Sequence, residues 1–343
     1  MKQFNFAEDV VSTEITVTDG FGDGGVGILN GSDFATSSLS AAQKQYYYNL
    51  QYNSKDHLSL SYGHIQGSGS AQQSTTVEGT TKAVYGQFYN LLETDRSKLK
   101  KNEGFTINSA IEKDIYILSA ERLQMKDRLN PGTWTLSLSG SNSAGAAATL
   151  NLTDNSKTTD ASAAPFGERY AIQVGSAGTV TDATDHGYFY PDAGLMVLGA
   201  TQMSASLPGT AAYRVLAASN DTENVGSGLD SNLTVADATD NAHKFVTALR
   251  KGSLTLRSEE KQFIYDYFCR AKANEFNYSQ NLTFWSGSQY DIRHTDMINN
   301  PQVYITEVGL YDELGSLMAV GRLSAGLEKN FSSEAIIKVR LTY

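Results

Sequence analysis

The 343-residue chain predicts an α+β, β-rich fold. Three observations carry that reading. Short runs alternating apolar and polar residues recur between clusters of Gly, Asn, Asp and Pro, the pattern of half-buried strands joined by turns. The segment "RSEEKQFIYDYFCRAKANEF" (257–276) spaces its apolar residues as a helix would. The closing "EAIIKVRLTY" (334–343) alternates to the last residue. The expected arrangement is two flanking α+β regions, 1–130 and 241–343, with an inserted β-sandwich-like domain over 131–240. In the last region an antiparallel meander is expected to pack on the aromatic helix.

Taken in order, "STEITVTDG" reads as a strand. Gly20, Gly22 and Gly25 after it match the spacing of a dinucleotide-binding loop. That loop requires a helix directly afterwards, and Gly27, Asn30, Gly31 and Ser32 oppose one, so a flexible loop is expected. Leu58, Leu60 and Tyr62 alternate as a half-buried strand, and the odd separation of His57 from His64 puts them on opposite faces, unable to share a metal. Val84, Phe88, Leu91 and Leu92 give a short amphipathic helix. "DIYILSA" and "TWTLSLSG" are strands around the turn Asn130-Pro131-Gly132. A stretch rich in Ala, Ser and Gly runs from Gly140 to Ala164 with one modest strand, "ATLNLTD". "RYAIQV", "YFYPDAGLMVLGA" and "AAYRVLAA" read as further short strands.

In the aromatic segment, Ser258 is placed to cap a helix, Glu259 and Glu260 suit its positive end, and Phe263, Ile264, Tyr267, Phe268 and Ala271 form a stripe. After it, "QVYITEVGLYD" and "SLMAVGRL" form a hairpin turning at Asp312–Gly315. A chain end frays unless it is paired, so the last strand is expected to be held in a sheet, with its edge blunted by Lys338 and Arg340 or covered by a partner.

Composition narrows the function. The net charge of −10 opposes nonspecific attraction to a phosphate backbone, so nucleic acid is not expected as a main partner. The basic run Arg96–Lys101 is flanked by Glu93, Asp95 and Glu103 and reads as a solvated loop. The single Cys269 cannot form an internal disulfide and reads as a buried, inert thiol. "MKQFNFAEDVV" carries acids where a signal peptide needs an apolar core, and no window approaches a membrane span, so folding in a reducing cytoplasm without membrane insertion is expected.

No catalytic, cofactor or metal residue can be named. Asp182, Asp185, His186 and Asp192, and again Asp291, His294 and Asp296, gather in segments read as loops. They lack both the helical H-E-x-x-H spacing and the ligand ladder of a calcium loop. No G-x-S-x-G sits between a strand and a helix, and "GSGSA" (67–71) is a loop. A glycosidase would need two carboxylates across a cleft, which spacing does not pair.

The chain resembles virion structural proteins of T-even-like contractile-tailed phages, particularly the marine and cyanobacterial ones. "EFNYSQNLTF" (275–284), "YITEVGLYDELGSLMAVGRLS" (304–324) and "EAIIKVRLTY" carry the resemblance. "SYGHIQGSGS", "AVYGQFYNLL", "ERLQMKDRLNPGTWTLSLSG" and "GYFYPDAG" add to it. The resemblance implies a non-enzymatic tail component of the virion, at the periphery of the baseplate wedge, assembled in the host cytoplasm. Its partners would be other tail and baseplate proteins and further copies of itself in a symmetric assembly. The other readings are a receptor- or fibre-binding module or neck protein, with the central domain as its tip, and a tail-associated polysaccharide hydrolase. Function would then lie in interfaces, where aromatic and Arg side chains anchor. Tyr46, Tyr47, Tyr48, Trp285, Tyr290, Lys338 and Arg340 are the candidate contacts.

Overall fold

The computed structural model describes residues 4–22, 27–36, 46–65, 75–93, 104–141, 147–200, 202, 241–289 and 291–343. The fold is β-rich, and the chain divides into a large unit, Val17–Glu260, and a small unit made of Met1–Thr16 with Lys261–Tyr343. In chain order, β1 (Val10–Gly20) precedes the short β2 (Ile28–Asn30), the hairpin of β3 (Tyr47–Tyr52) and β4 (Lys55–His64), and the helix Thr75–Leu92. Next come β5 (Thr106–Ile107), β6 (Ala110–Ile111), β7 (Asp114–Ala120) and β8 (Arg128–Leu129). A run of strands follows: β9 (Thr135–Ser141), β10 (Ala147–Asp154), β11 (Ser162–Ala164), β12 (Gly167–Ser176), β13 (Thr179–Tyr190) and β14 (Leu195–Gly199). The helix Asn241–Arg250 leads into β15 (Ser253–Thr255) and the long β16 (Arg257–Ala271). The last strands are β17 (Trp285–Ser286), β18 (Asp291–Ile292), β19 (Val303–Tyr311), β20 (Leu317–Lys329) and β21 (Ala335–Thr342).

The large unit is built on one antiparallel sheet in the order β2-β15-β9-β10-β12-β13-β14-β7-β4-β3. It nearly closes on itself. Just past β2, Ala35 exchanges backbone hydrogen bonds of 2.9 and 2.7 Å with Gln51 of β3, so the two end strands are linked through one short segment.

Strand β7 shows why this sheet forms. In "DIYILSA" the run Ile115 to Leu118 is buried throughout, as expected of a strand covered on both faces. Tyr116 and Leu118 join a core with Trp134, with Leu136 and Leu138 of β9, and with Leu152, Phe189 and Leu198. The helix Asn241–Arg250 feeds Ala242, Phe245, Val246 and Leu249 into the same core, with the Phe245 and Tyr116 rings 5.0 Å apart. Ile115 and Ile117 point the other way, to Tyr85, Tyr89 and Leu92 of the helix Thr75–Leu92 and to Phe105. Both helices approach closely only because glycine lies beneath them. A Cβ on Gly31 would stand 2.0 Å from the Leu249 carbonyl oxygen, and one on Gly63 would stand 2.9 Å from the Tyr85 nitrogen.

Several expectations are corrected. Residues 257–271 form strand β16, not an amphipathic helix. "FIYDYFC" is apolar at nearly every position, so a helical stripe can be drawn through it whatever its structure, while its aromatic and β-branched residues favour a strand. The residues read as a helix N-terminus are engaged in pairing instead. Ser258 and Glu259 pair with β8, Arg128 Nε donates to Glu259 at 2.6 Å, and Lys126 Nζ donates to Glu260 at 3.1 Å. The C-terminal meander is replaced by a separate β19–β20 hairpin, while β21 pairs with β16. The described strands of the expected 131–240 domain share a sheet with β4 and β7, so nothing sets them apart as an insertion. Asp182, Asp185 and His186 lie within strand β13, not a loop. The helix Asn241–Arg250 was not anticipated, although Ala242, Phe245, Val246 and Leu249 have helical spacing and Gly252 follows it. The run 96–101, "GSGSA", Gly25, "AAYRVLAA" and Tyr290 lie outside the described residues.

Phe245 fills the centre of the main core, fully buried. Phe245→Ala should lower the unfolding free energy by about 3–5 kcal/mol, and Phe245→Leu by less. The midpoints of urea unfolding measure both, and an alanine variant as stable as the parent would remove the helix from this core.

Candidate functional site

The small unit places the chain terminus in a sheet of order β1-β16-β21. The antiparallel register runs from Ile264 opposite Thr342 to Ala271 opposite Ala335. It is closed at the end by Tyr343 N–H donating to the Phe263 carbonyl at 3.0 Å and the reverse bond at 3.2 Å. The expected holding of the last strand is therefore met by β16.

One face of this pair is clamped by a single carboxylate. Asp266 Oδ1 accepts from Arg340 Nε at 2.8 Å and Oδ2 from Arg340 Nη2 at 3.0 Å, and Lys338 Nζ lies 2.7 Å from the same Oδ2. Arg340 is its direct cross-strand neighbour and Lys338 a diagonal one, the two reaches that pairing allows. Hydrogen bonds from Arg340, then from Lys338, hold the Asp266 carboxyl well below the usual carboxylate range. The other face is aromatic. Tyr265 meets Tyr343 edge-on at 5.8 Å, and Phe4 meets Tyr267 at 5.7 Å.

A buried ammonium fixes the loop after β16. Lys329, fully buried, donates to the Ala273 carbonyl at 3.0 Å, Asn277 Oδ1 at 2.8 Å and the Asn330 carbonyl at 2.9 Å, using all three of its protons. Asn277 Nδ2 donates to Ala273 in turn at 2.7 Å. Between those anchors Phe276 sits at φ 55° with its ring half exposed. A bulky side chain in the left-handed region is strained and persists only where its surroundings impose it.

Phe276 borders a groove of about 670 Å³. Phe4, Phe268, Ile305, Val308 and Ile337 give it an apolar lining, and Glu8, Asp9, Arg270, Lys272 and Glu307 give it charges of both signs. Cys269 lies here too. Burial, and secondarily the Asp9 carboxylate, push its thiol up, which disfavours the reactive thiolate.

The small unit differs from the large one in what it leaves uncovered. Its buried apolar side chains are Val10, Ala271, Phe284, Leu310 and Ala335, and among the described residues none joins either hydrophobic cluster. Meanwhile Tyr304, Tyr311, Leu314, Leu317, Met318 and Val320 of the hairpin stand exposed, Leu314 at its tip by 92% and Met318 by 70%. Two strands alone are at best marginally stable in water.

The candidate contacts fall in different places. Lys338 and Arg340 meet at Asp266. Tyr48 is fully buried in the main core and cannot act as a contact, because β3 alternates and turns it inward. Tyr46 and Tyr47 are half-buried on the large unit, where burial raises the Tyr47 hydroxyl. Trp285 is half-buried and spends its N–H on the Ser279 carbonyl at 2.8 Å. The exposed hairpin residues were missed, although "LYDELGSLMAV" carries apolar residues at both parities, more than one face can bury.

Among the described residues no three His, Cys, Asp or Glu side chains group as metal ligands. Asp182 accepts from the Thr184 N–H and hydroxyl, and Asp185 accepts from Gln173 at 2.7 Å. Among those residues no helix is long and apolar enough to cross a membrane.

Two predictions follow from the clamp and the ammonium. A depressed carboxyl contributes stability above its ordinary pKa of about 4 and loses it as pH falls through the depressed value. Asp266→Asn should therefore speed hydrogen exchange along β21 at neutral pH, with the difference from the parent shrinking as acid protonates the parent's carboxyl. Equal protection at pH 7 would dismiss the clamp. Lys329→Met should remove a donor from three acceptors, of which the Ala273 carbonyl keeps Asn277 Nδ2 and the Asn330 carbonyl keeps Ser333, and cost about 1–3 kcal/mol, read as lost exchange protection over residues 273–277.

Set beside models of known protein families, curated proteins and solved structures, the chain matches none of them.

Proposed function

We propose that this chain is a structural subunit of a contractile phage tail, at the periphery of its baseplate, holding neighbouring subunits in register and breaking no bond. One observation carries the reading. The small unit has no hydrophobic cluster of its own among the described residues and exposes its large side chains along the β19–β20 hairpin. Soluble monomers rarely leave contiguous apolar surface uncovered, and such surface marks association. The tail and the baseplate come from the resemblance of "YITEVGLYDELGSLMAVGRLS" and "EAIIKVRLTY" to virion proteins, and that hairpin and that last strand belong to the small unit.

Purified particles test the reading. The chain should be present in fixed copy number at a symmetric position, and particles produced with a chain lacking residues 303–329 should fail to retain it. A chain that never co-purifies with particles, or that releases sugar from host envelope, would sink the proposal.

A further inference from the structure

We infer that the outer edge of strand β1 pairs antiparallel with the β1 edge of a second copy of this chain, about a two-fold axis at Thr13. The inference stands apart from the assembly reading above, which rests on the hairpin.

The edge itself is the first argument. β1 ends the sheet β1-β16-β21, and among the described residues its far side pairs with no strand. An unpaired row of backbone N–H and C=O groups is a template for another chain, and sheets discourage its use with Lys, Pro, bulges or short edge strands. At the opposite edge β21 carries Lys338 and Arg340. β1 runs for 11 residues without Lys, Arg or Pro, and Val11 through Thr16 are exposed at every position. Its one charge between Val10 and Thr18 is Glu14, whose carboxylate Lys261 Nζ meets at 2.9 Å.

Sequence selects the occupant. Two antiparallel copies related by an axis through Thr13 set Thr13 opposite Thr13, Val11 opposite Ile15, Ser12 opposite Glu14 and Val10 opposite Thr16. Val11 and Ile15 are the large apolar residues that the strand exposes, by 50% and 37%, and they share one face of the pleat with Thr13. Across the axis each meets the other, with a Thr–Thr pair between, and both kinds of pair stabilise a sheet. On the opposite face the Ser12 hydroxyl can donate to the Glu14 carboxylate of the second copy, and no charge stands opposite its like. Neighbouring registers lose this match. Centring on Glu14 would oppose the two carboxylates, and centring on Ile15 would set Val11 against Asp19. The edge is complementary to itself in one register.

Sedimentation velocity on the full chain at up to about 100 micromolar tests this, because a strand-edge contact buries less than the roughly 800 Å² per partner of a standard interface and associates in the micromolar range. The parent should show a monomer–dimer equilibrium. Thr13→Lys and Thr13→Glu, which oppose like charges on the axis, should each weaken the dimer about tenfold or more, and an equimolar mixture of the two should regain it as a heterodimer. Thr342→Lys, which places the same charge on an exposed residue of the opposite edge, should change nothing. Ile15→Thr fits a strand and adds no charge. It should weaken the dimer several-fold, and it keeps the test decisive if a Thr13 variant unfolds below the parental temperature. A parent that stays monomeric, Thr13 variants that dimerise as the parent does, or a mixture no tighter than its components would overturn the inference. Deletion of the hairpin, read in particles, tests the assembly reading separately.

Discussion

A β-sheet has two faces, and each must be covered by something apolar or left to water. The large unit covers both faces of its central strands within the chain. The helix Asn241–Arg250 packs on one side of β7 and β4, and the helix Thr75–Leu92 on the other. The small unit contains no described helix longer than the single turn Phe6–Asp9 to do the same. Its strands are therefore only half clothed, and its hairpin leaves large apolar side chains in solvent. The large unit is a finished fold, and the small one is a fold with its second layer missing.

That asymmetry governs how much could be read from the sequence. Strands that set their large apolar residues at one parity, such as β4 and β9, announce themselves by alternation, and Leu58, Leu60, Tyr62, Leu136 and Leu138 all lie in the core. Alternation fails where both faces are loaded. In β16 the residues Phe263 to Phe268 are apolar on both sides of the pleat apart from Asp266. Period then carries no information, and only the β-branched and aromatic bias favours a strand over a helix. The sheet order was not legible either, since nothing local tells β21 to choose β16 over β20. The deciding contact is long-range, Asp266 with Arg340 and Lys338. The exposed hairpin was legible as a hairpin but not as a surface. Exposure depends on what is absent around a strand, and a sequence records only what is present.

The small unit compensates for its thin core with polar fixtures. Asp266 locks the last strand from one face, and Lys329 locks the loop after β16 by giving every ammonium proton to a carbonyl or amide oxygen. Neither fixture is a strong source of net stability, because burying polar and charged groups costs much of what their bonding returns. Their effect is specificity of shape. Lys329 holds Ala273 and Asn277 at a set separation, and Phe276 is held between them in a backbone conformation it would not adopt unaided.

This division of labour fits a subunit whose job is geometric. If apolar packing alone fixed the small unit, the same side chains would have to fill its interior and also present a surface, and covering them for one purpose would remove them from the other. Polar clamps separate the two tasks. They define the backbone while leaving Tyr304, Tyr311, Leu314 and Met318 exposed, where the proposed role would use them. Under the proposed role, the free energy of covering that surface, at about 25 cal/mol per Å², is released at assembly and not at folding. A surface ordered before it binds forfeits little conformational entropy on association, and under the proposed role the geometry set by Asp266 and Lys329 would pass into the contact unchanged.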